Sequence, residues 1–115
     1  MADNRSNILA VIEGITTGKL LEGFERYYAD DVVMSENGTD ERVGKAANRE
    51  YEVAFVEGVT FHGAEVGAVV VDGDHAAVEW TFDLTPNGGE RVLQRQVSLQ
   101  TWKDGQIVRE VFYHG

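Results

Sequence analysis

The chain has 115 residues, 43% of them hydrophobic, a formal net charge of -10 and no cysteine. That length holds one globular domain, burying about two-thirds of the surface that its unfolded chain exposes, and it excludes a disulfide framework or a thiolate zinc site. The charge opposes nucleic-acid phosphates and acidic membranes, the ten Lys and Arg residues form no stripe, and no apolar run approaches the about 20 residues that a bilayer needs. Residues 1–7 show no cationic segment leading into an apolar one, so a cytoplasmic protein without export signal or membrane anchor is expected.

In chain order, Ile8, Val11, Ile12 and Ile15 recur at the spacing of one helical face, with Asp3 or Ser6 able to cap the start and Gly18 to end it. Leu20, Leu21, Phe24, Tyr27 and Tyr28 carry the same period into a short second helix, after which Asp30 and Asp31 read as turn and capping groups. A strand over 32–36 runs into Asn37-Gly38-Thr39-Asp40, residues that tolerate the positive φ of a tight turn. The third helix is expected over 45–56, with Ala47, Tyr51, Ala54 and Phe55 inward and Gly58 closing it.

From Val59 the grammar changes to long strands. Asp72-Gly73-Asp74, Pro86-Asn87-Gly88-Gly89 and Asp104-Gly105 separate runs rich in Val, Phe and Trp, which predicts four consecutive antiparallel strands. In the first, His62, Ala64, Val66, Ala68 and Val70 form the more coherent inward set, with Glu65 outside. In the second, Val78, Trp80, Phe82 and Leu84 alternate with Glu79, Thr81 and Asp83, the mark of one buried face. In the third, Gln94, Gln96 and Ser98 share the face of Trp102, while Leu93, Val97 and Leu99 lie with Arg91, Arg95 and Thr101 on the other. These elements describe an α+β fold in one domain over 1–115: three N-terminal helices packed on a curved, mainly antiparallel sheet that encloses one pocket.

Tyr28-Ala29-Asp30-Asp31-Val32-Val33, Glu36-Asn37-Gly38, Val43-Gly44-Lys45 and the stretch from Trp102 to Glu110 resemble the SnoaL-like and ketosteroid-isomerase-like branch of the nuclear transport factor 2-like superfamily, over nearly the whole chain. The resemblance implies the α+β cone. It is weak for any one reaction, because that cone hosts isomerases, cyclases, dehydratases, epoxide hydrolases and binding modules. It implies Glu36 at the position of the isomerases' general base, and Glu110 and Phe112 inward on the last strand. It puts Val11 and Ser98 where those enzymes hold a tyrosine and a protonated aspartic acid as oxyanion donors. Loss of one such donor costs about 100-fold or more, which argues against plain steroid isomerisation. It also implies a homodimer through the outer sheet face, where Leu93, Val97 and Leu99 lie.

The candidate catalytic residues are therefore Glu36, His62 and Glu110, in a pocket lined by Tyr28, Trp80, Phe82, Gln96, Ser98, Trp102 and Phe112. Each has a plainer alternative. Glu36 can be a solvated strand end, His62 a hydrogen-bonded structural histidine, and Glu110 a carboxylate paired with Arg109 or Arg95; the aromatic residues can be core or pocket wall, and Tyr28 can reach the cavity or only its rim. His62, His75 and His114 show no short metal-ligand spacing, and without a glycine-rich phosphate loop no metal or cofactor is expected. Two functions remain: an acid-base isomerase, cyclase or dehydratase acting on a small apolar carbonyl compound, or a non-catalytic module that binds a hydrophobic ligand or dimerises.

Overall fold

The computed structural model describes residues 4–115. Its elements are α1 (Asn4–Thr16), α2 (Leu20–Tyr27), β1 (Tyr28–Glu36), β2 (Thr39–Val43), α3 (Lys45–Gly58), β3 (Val59–Asp72), β4 (His75–Pro86), β5 (Val92–Lys103) and β6 (Gln106–Tyr113). The six strands form one open sheet in the order β2-β1-β6-β5-β4-β3. Every neighbouring pair is antiparallel except β1 with β6.

Two turns follow from backbone chemistry alone. Asn37 and Gly38 (φ 54° and 76°), and Asp104 and Gly105 (φ 52° and 77°), both have the paired positive φ values of a type I′ hairpin, whose twist matches that of the strands it joins. On α1, Ile8 and Val11 are buried while Ile12 and Ile15 pack against the same core, as the periodicity predicts. Asp3 lies outside the described residues, and Ser6 sits within α1 rather than before it. The core gathers Phe24, Val32, Met34, Val78, Trp80, Trp102 and Ile107 between helices and sheet.

Three local expectations fail. Asp30 and Asp31 are exposed residues of β1, not turn or capping groups, because the strand begins at Tyr28 and its pairing with β6 is interrupted between Tyr28 and Val33. On α3 the buried positions are Asn48 and Glu52, whereas Ala47 and Ala54 are exposed; Phe55 packs against the core as expected, and Tyr51 is 42% exposed at the edge of the cavity. The helix has turned polar groups inward because it meets a polar part of the sheet and the β1–β2 corner. On β3, the register shifts between Phe61 and Gly63 and again between Val66 and Val69, so Phe61, Ala64, Val66, Val69 and Val71 meet the core while His62, Ala68 and Val70 face out. The second irregularity is plugged by Glu79, whose Oε1 accepts from the Ala68 N–H at 3.2 Å and occupies the space a Cβ on Gly67 would need.

Candidate functional site

The mouth of the sheet opens into a cavity of about 350 Å³ between α1, α2, α3 and the inner faces of β1, β4, β5 and β6. Its apolar wall includes Phe24, Phe55, Trp80 and Phe82; its polar side carries Gln94, Gln96, Ser98 and Gln100 from β5. Strand parity explains that polar row, since residues two apart share a face. Glu36, Glu52 and Glu110 all line this space, together with Tyr28, Phe112 and His114, and among the described residues no Lys or Arg does.

The register places Glu110 and Glu36 close together. Met34 pairs with Glu110 and Glu36 with Phe112 across β1 and β6, so the two carboxylates are diagonal neighbours on one face. Glu110 also pairs with Gln100 across β5, and it is 2% exposed. The Tyr28 hydroxyl donates to Glu110 Oε1 in a short contact, Gln100 Nε2 donates to Oε2 at 2.9 Å, and Trp102 Nε1 donates to Gln100 Oε1 at 2.9 Å. Glu110 is thus held by neutral donors; Arg109 pairs with Glu41 on the other face. Burial raises its pKa to about 7, opposed by the Tyr28 and Gln100 hydrogen bonds and reinforced by the Glu36 charge. Burial and the Glu110 charge push the Tyr28 hydroxyl well above its ordinary range, so it stays a donor.

Glu36 stands in a different environment. It is half-buried, Arg42 Nη2 lies 3.4 Å from Oε2, and His114 Nε2 lies 3.2 Å from Oε1. Arg42 is oriented in turn: its Nε donates to Asn48 Oδ1 at 3.1 Å and its guanidinium lies 3.6 Å from the Tyr51 ring centre. Glu52, from α3, is the third carboxylate. Burial raises its pKa to about 8, helped by the Glu110 charge and opposed by Arg42.

Of the residues named from sequence, Glu36, Glu110, Tyr28, Trp80, Phe82, Gln96, Ser98 and Phe112 line the cavity. His62 does not: it is exposed on β3, and its Nε2 meets Thr85 Oγ1 at 2.8 Å, because the irregularity at Gly63 reverses the parity. Trp102 does not reach the cavity either; it is fully buried behind Gln100 as core. Val11 and Ser98 do line the cavity, and neither side chain is an acidic donor. Glu52 and His114 were missed. The spacing of Asn48, Glu52 and Phe55 is that of one helical face, and it was the available signal for Glu52.

The two buried carboxylates make stability depend on pH. Folded Glu110 and Glu52 keep their protons up to about 7 and 8, whereas unfolded carboxylates release theirs near 4.5. Between those limits the folded state binds more protons, so the stability present below pH 4.5 from these groups is lost as pH rises toward 8. A urea midpoint that falls from pH 5 to pH 8.5, with a shallower fall in Glu52→Gln, is the expected result; a midpoint that rises over that interval contradicts it.

Residues 8–110 match the SnoaL-like domain family. A provisionally named SnoaL-like polyketide cyclase from Mesorhizobium loti, also labelled a carbohydrate phosphatase, is 32% identical and superposes with a TM-score of 0.87 over 98% of this chain and 100% of its own. An NTF2-like protein of unknown function from Burkholderia pseudomallei (14% identical, TM-score 0.84, 100% of this chain and 92% of that one) shares the fold. So does an LEH-like epoxide hydrolase from M. tuberculosis (18% identical, TM-score 0.78, 96% and 80%). No curated protein matches. The family match over most of the chain and the helix-covered six-stranded sheet agree, and this chain belongs to the SnoaL-like domain family with the nuclear transport factor 2-like fold.

Proposed function

We propose that the protein is a cofactor-independent acid-base catalyst acting on a small, largely apolar carbonyl compound, as an isomerase, cyclase or dehydratase. One observation carries this reading: two carboxylates on one face of the cavity stand in different surroundings, Glu36 half-buried beside Arg42 and Glu110 fully buried among neutral donors, where burial raises its pKa to about 7. Glu36 takes a proton from the carbon next to the carbonyl, and the C–H electrons move into the new C=C bond as the carbonyl oxygen becomes an enolate. When Glu110 is protonated it can donate to the Tyr28 oxygen, which frees the Tyr28 hydroxyl to donate to that oxygen. Return of the proton to another carbon completes an isomerisation.

Phosphate esters fit this cavity poorly, because among the described residues three carboxylates line it and no Lys or Arg does. The test is exchange of α-hydrogens with D₂O, followed by NMR over a panel of cyclic and unsaturated ketones. Exchange above buffer for some members, lost in Glu36→Gln, supports the reading. Saturable binding without exchange in any member favours the alternative, a hydrophobic-ligand-binding module, for which the engagement of Glu36 by Arg42 and His114 speaks.

A cytoplasmic homodimer belongs to the same proposal. Leu93, Val97 and Leu99 on the outer face of β5 are 65%, 37% and 42% exposed, and Tyr113 of β6 lies beside Val97 in register. An apolar row of that kind suits a second copy of the same sheet. Light scattering is expected to give twice the chain mass, and Leu93→Glu combined with Leu99→Glu to give a monomer; a monomeric parent chain refutes it. No helix among the described residues is long and apolar enough to cross a membrane.

A further inference from the structure

Glu52 is the one cavity carboxylate whose own surroundings do not satisfy it. It is 9% exposed and lines the cavity from α3, yet among the described residues no hydrogen-bond donor reaches it. Glu110 has Tyr28 and Gln100, and Glu36 has Arg42 and His114. Arg42, the cation whose field reaches Glu52, is already engaged by Glu36, Asn48 and the face of Tyr51. A buried carboxylate without a partner is costly unless it is protonated or meets a cation.

The rest of the cavity suits a cation as well. Tyr28, Trp80 and Phe82 present aromatic surface, Trp80 and Phe82 being stacked with centroids 5.2 Å apart, and ring faces are electronegative. No three His, Asp or Glu side chains among the described residues stand close enough together to hold a metal ion, and the aromatic walls suit a cation carried on an organic body. A cavity of about 350 Å³ has room for one or two rings, since about 150 Å³ takes a benzene.

We propose that the cavity binds an organic ammonium ion: a protonated primary amine on an aromatic or alicyclic body, with the ammonium against Glu52 and the body against Trp80 and Phe82. The proposal does not depend on the acid-base chemistry and holds equally for a binding module. Free Glu52 is mostly protonated at pH 7, with the Glu36 and Glu110 charges, the Tyr28 and Tyr51 hydroxyls and Arg42 as its electrostatic surroundings. An arriving ammonium ion ionises it, so binding expels up to one proton.

Calorimetry with 2-naphthylmethylamine and the isosteric 2-naphthylmethanol, at pH 7 in buffers of different ionisation enthalpy, tests this. The amine is expected to bind about tenfold tighter or more than the alcohol, as a charge-assisted contact in a dry site would give, and to release protons. In Glu52→Gln the preference falls to within about twofold while the alcohol binds as before, which also reports that the cavity is intact. In Glu110→Gln most of the preference remains. Equal affinities, no amine binding at millimolar concentration, a preference that survives Glu52→Gln, or one removed by Glu110→Gln instead each overturn the proposal. Absence of ketone exchange leaves it untouched, so the two readings fail separately.

Discussion

Glu36→Gln is expected to lower kcat for α-hydrogen exchange by about 10²- to 10⁴-fold, the usual contribution of a positioned general base. Glutamine keeps the size of the side chain and an oxygen that can accept from Arg42 Nη2, 3.4 Å away in the parent protein. What it removes is the basic oxygen next to the substrate carbon. The ion pair lost with it is half-exposed, and such pairs contribute about 1 kcal/mol or less, so the melting temperature is expected to change little. KM is expected to move far less than kcat, because a neutral carbonyl compound gains little binding from the charge. A kcat within about threefold of the parent, on every ketone turned over, excludes Glu36 as the base. A parallel loss of stability would instead mean that the Arg42–Glu36–His114 cluster holds the hairpin together.

Asn48→Ala is expected to cost about 3 kcal/mol of stability. Asn48 is fully buried, and its Nδ2 lies 2.8, 3.0 and 3.3 Å from the carbonyl oxygens of Gly44, Arg42 and Val32. One amide thus joins β1, β2 and the first turn of α3. Truncation removes these contacts together with the acceptor of Arg42 Nε; Val32 O keeps the Gly44 N–H at 2.8 Å and Gly44 O the Asn48 N–H at 3.2 Å, so the cost is that of the several hydrogen bonds lost, about 1 kcal/mol each. For a chain of this size a loss of that order lowers Tm by about 10–15 °C. Asn48→Asp is expected to be at least as damaging at neutral pH, since it turns an acceptor toward three acceptors. The effect also reaches the site: Asn48 Oδ1 accepts from Arg42 Nε, so Asn48→Ala loosens the arginine beside Glu36. Chemical denaturation of both variants checks the magnitude; a cost under 1 kcal/mol would mean that water takes over these contacts.

Glu36 and Glu110 show how far a candidate site can be read from residues alone. Both positions are implied by the family resemblance, strand parity giving only the alternation of Glu110 with Arg109, and both carboxylates line the cavity. Their partners could not be read: Tyr28 lies 82 residues from Glu110 and His114 lies 78 from Glu36, so only the parallel pairing of β1 with β6 and the hairpins beside it bring them together. His62 failed for a local reason with a visible sign. Gly63 and Gly67 interrupt a strand rich in Val, and isolated glycines in a strand mark irregularities that reset its parity.

The order of elements, the type I′ turns, the inward faces of β4 and β5 and the α1 stripe were determined by the sequence, because each rests on chemistry within a few residues: helical or strand period, and the φ that Asn-Gly and Asp-Gly accept. The face that α3 buries was decided only by the tertiary structure. Period alone offers two stripes, one through Ala47, Tyr51 and Ala54 and one through Asn48, Glu52 and Phe55, and the second is buried because its amide meets backbone carbonyls at the β1–β2 corner. The same packing takes Glu52 and Glu110 out of water and raises their proton affinity. Desolvation belongs to the assembled surroundings of a group rather than to its place in the chain, which is why the charge state of this cavity emerges only with the fold.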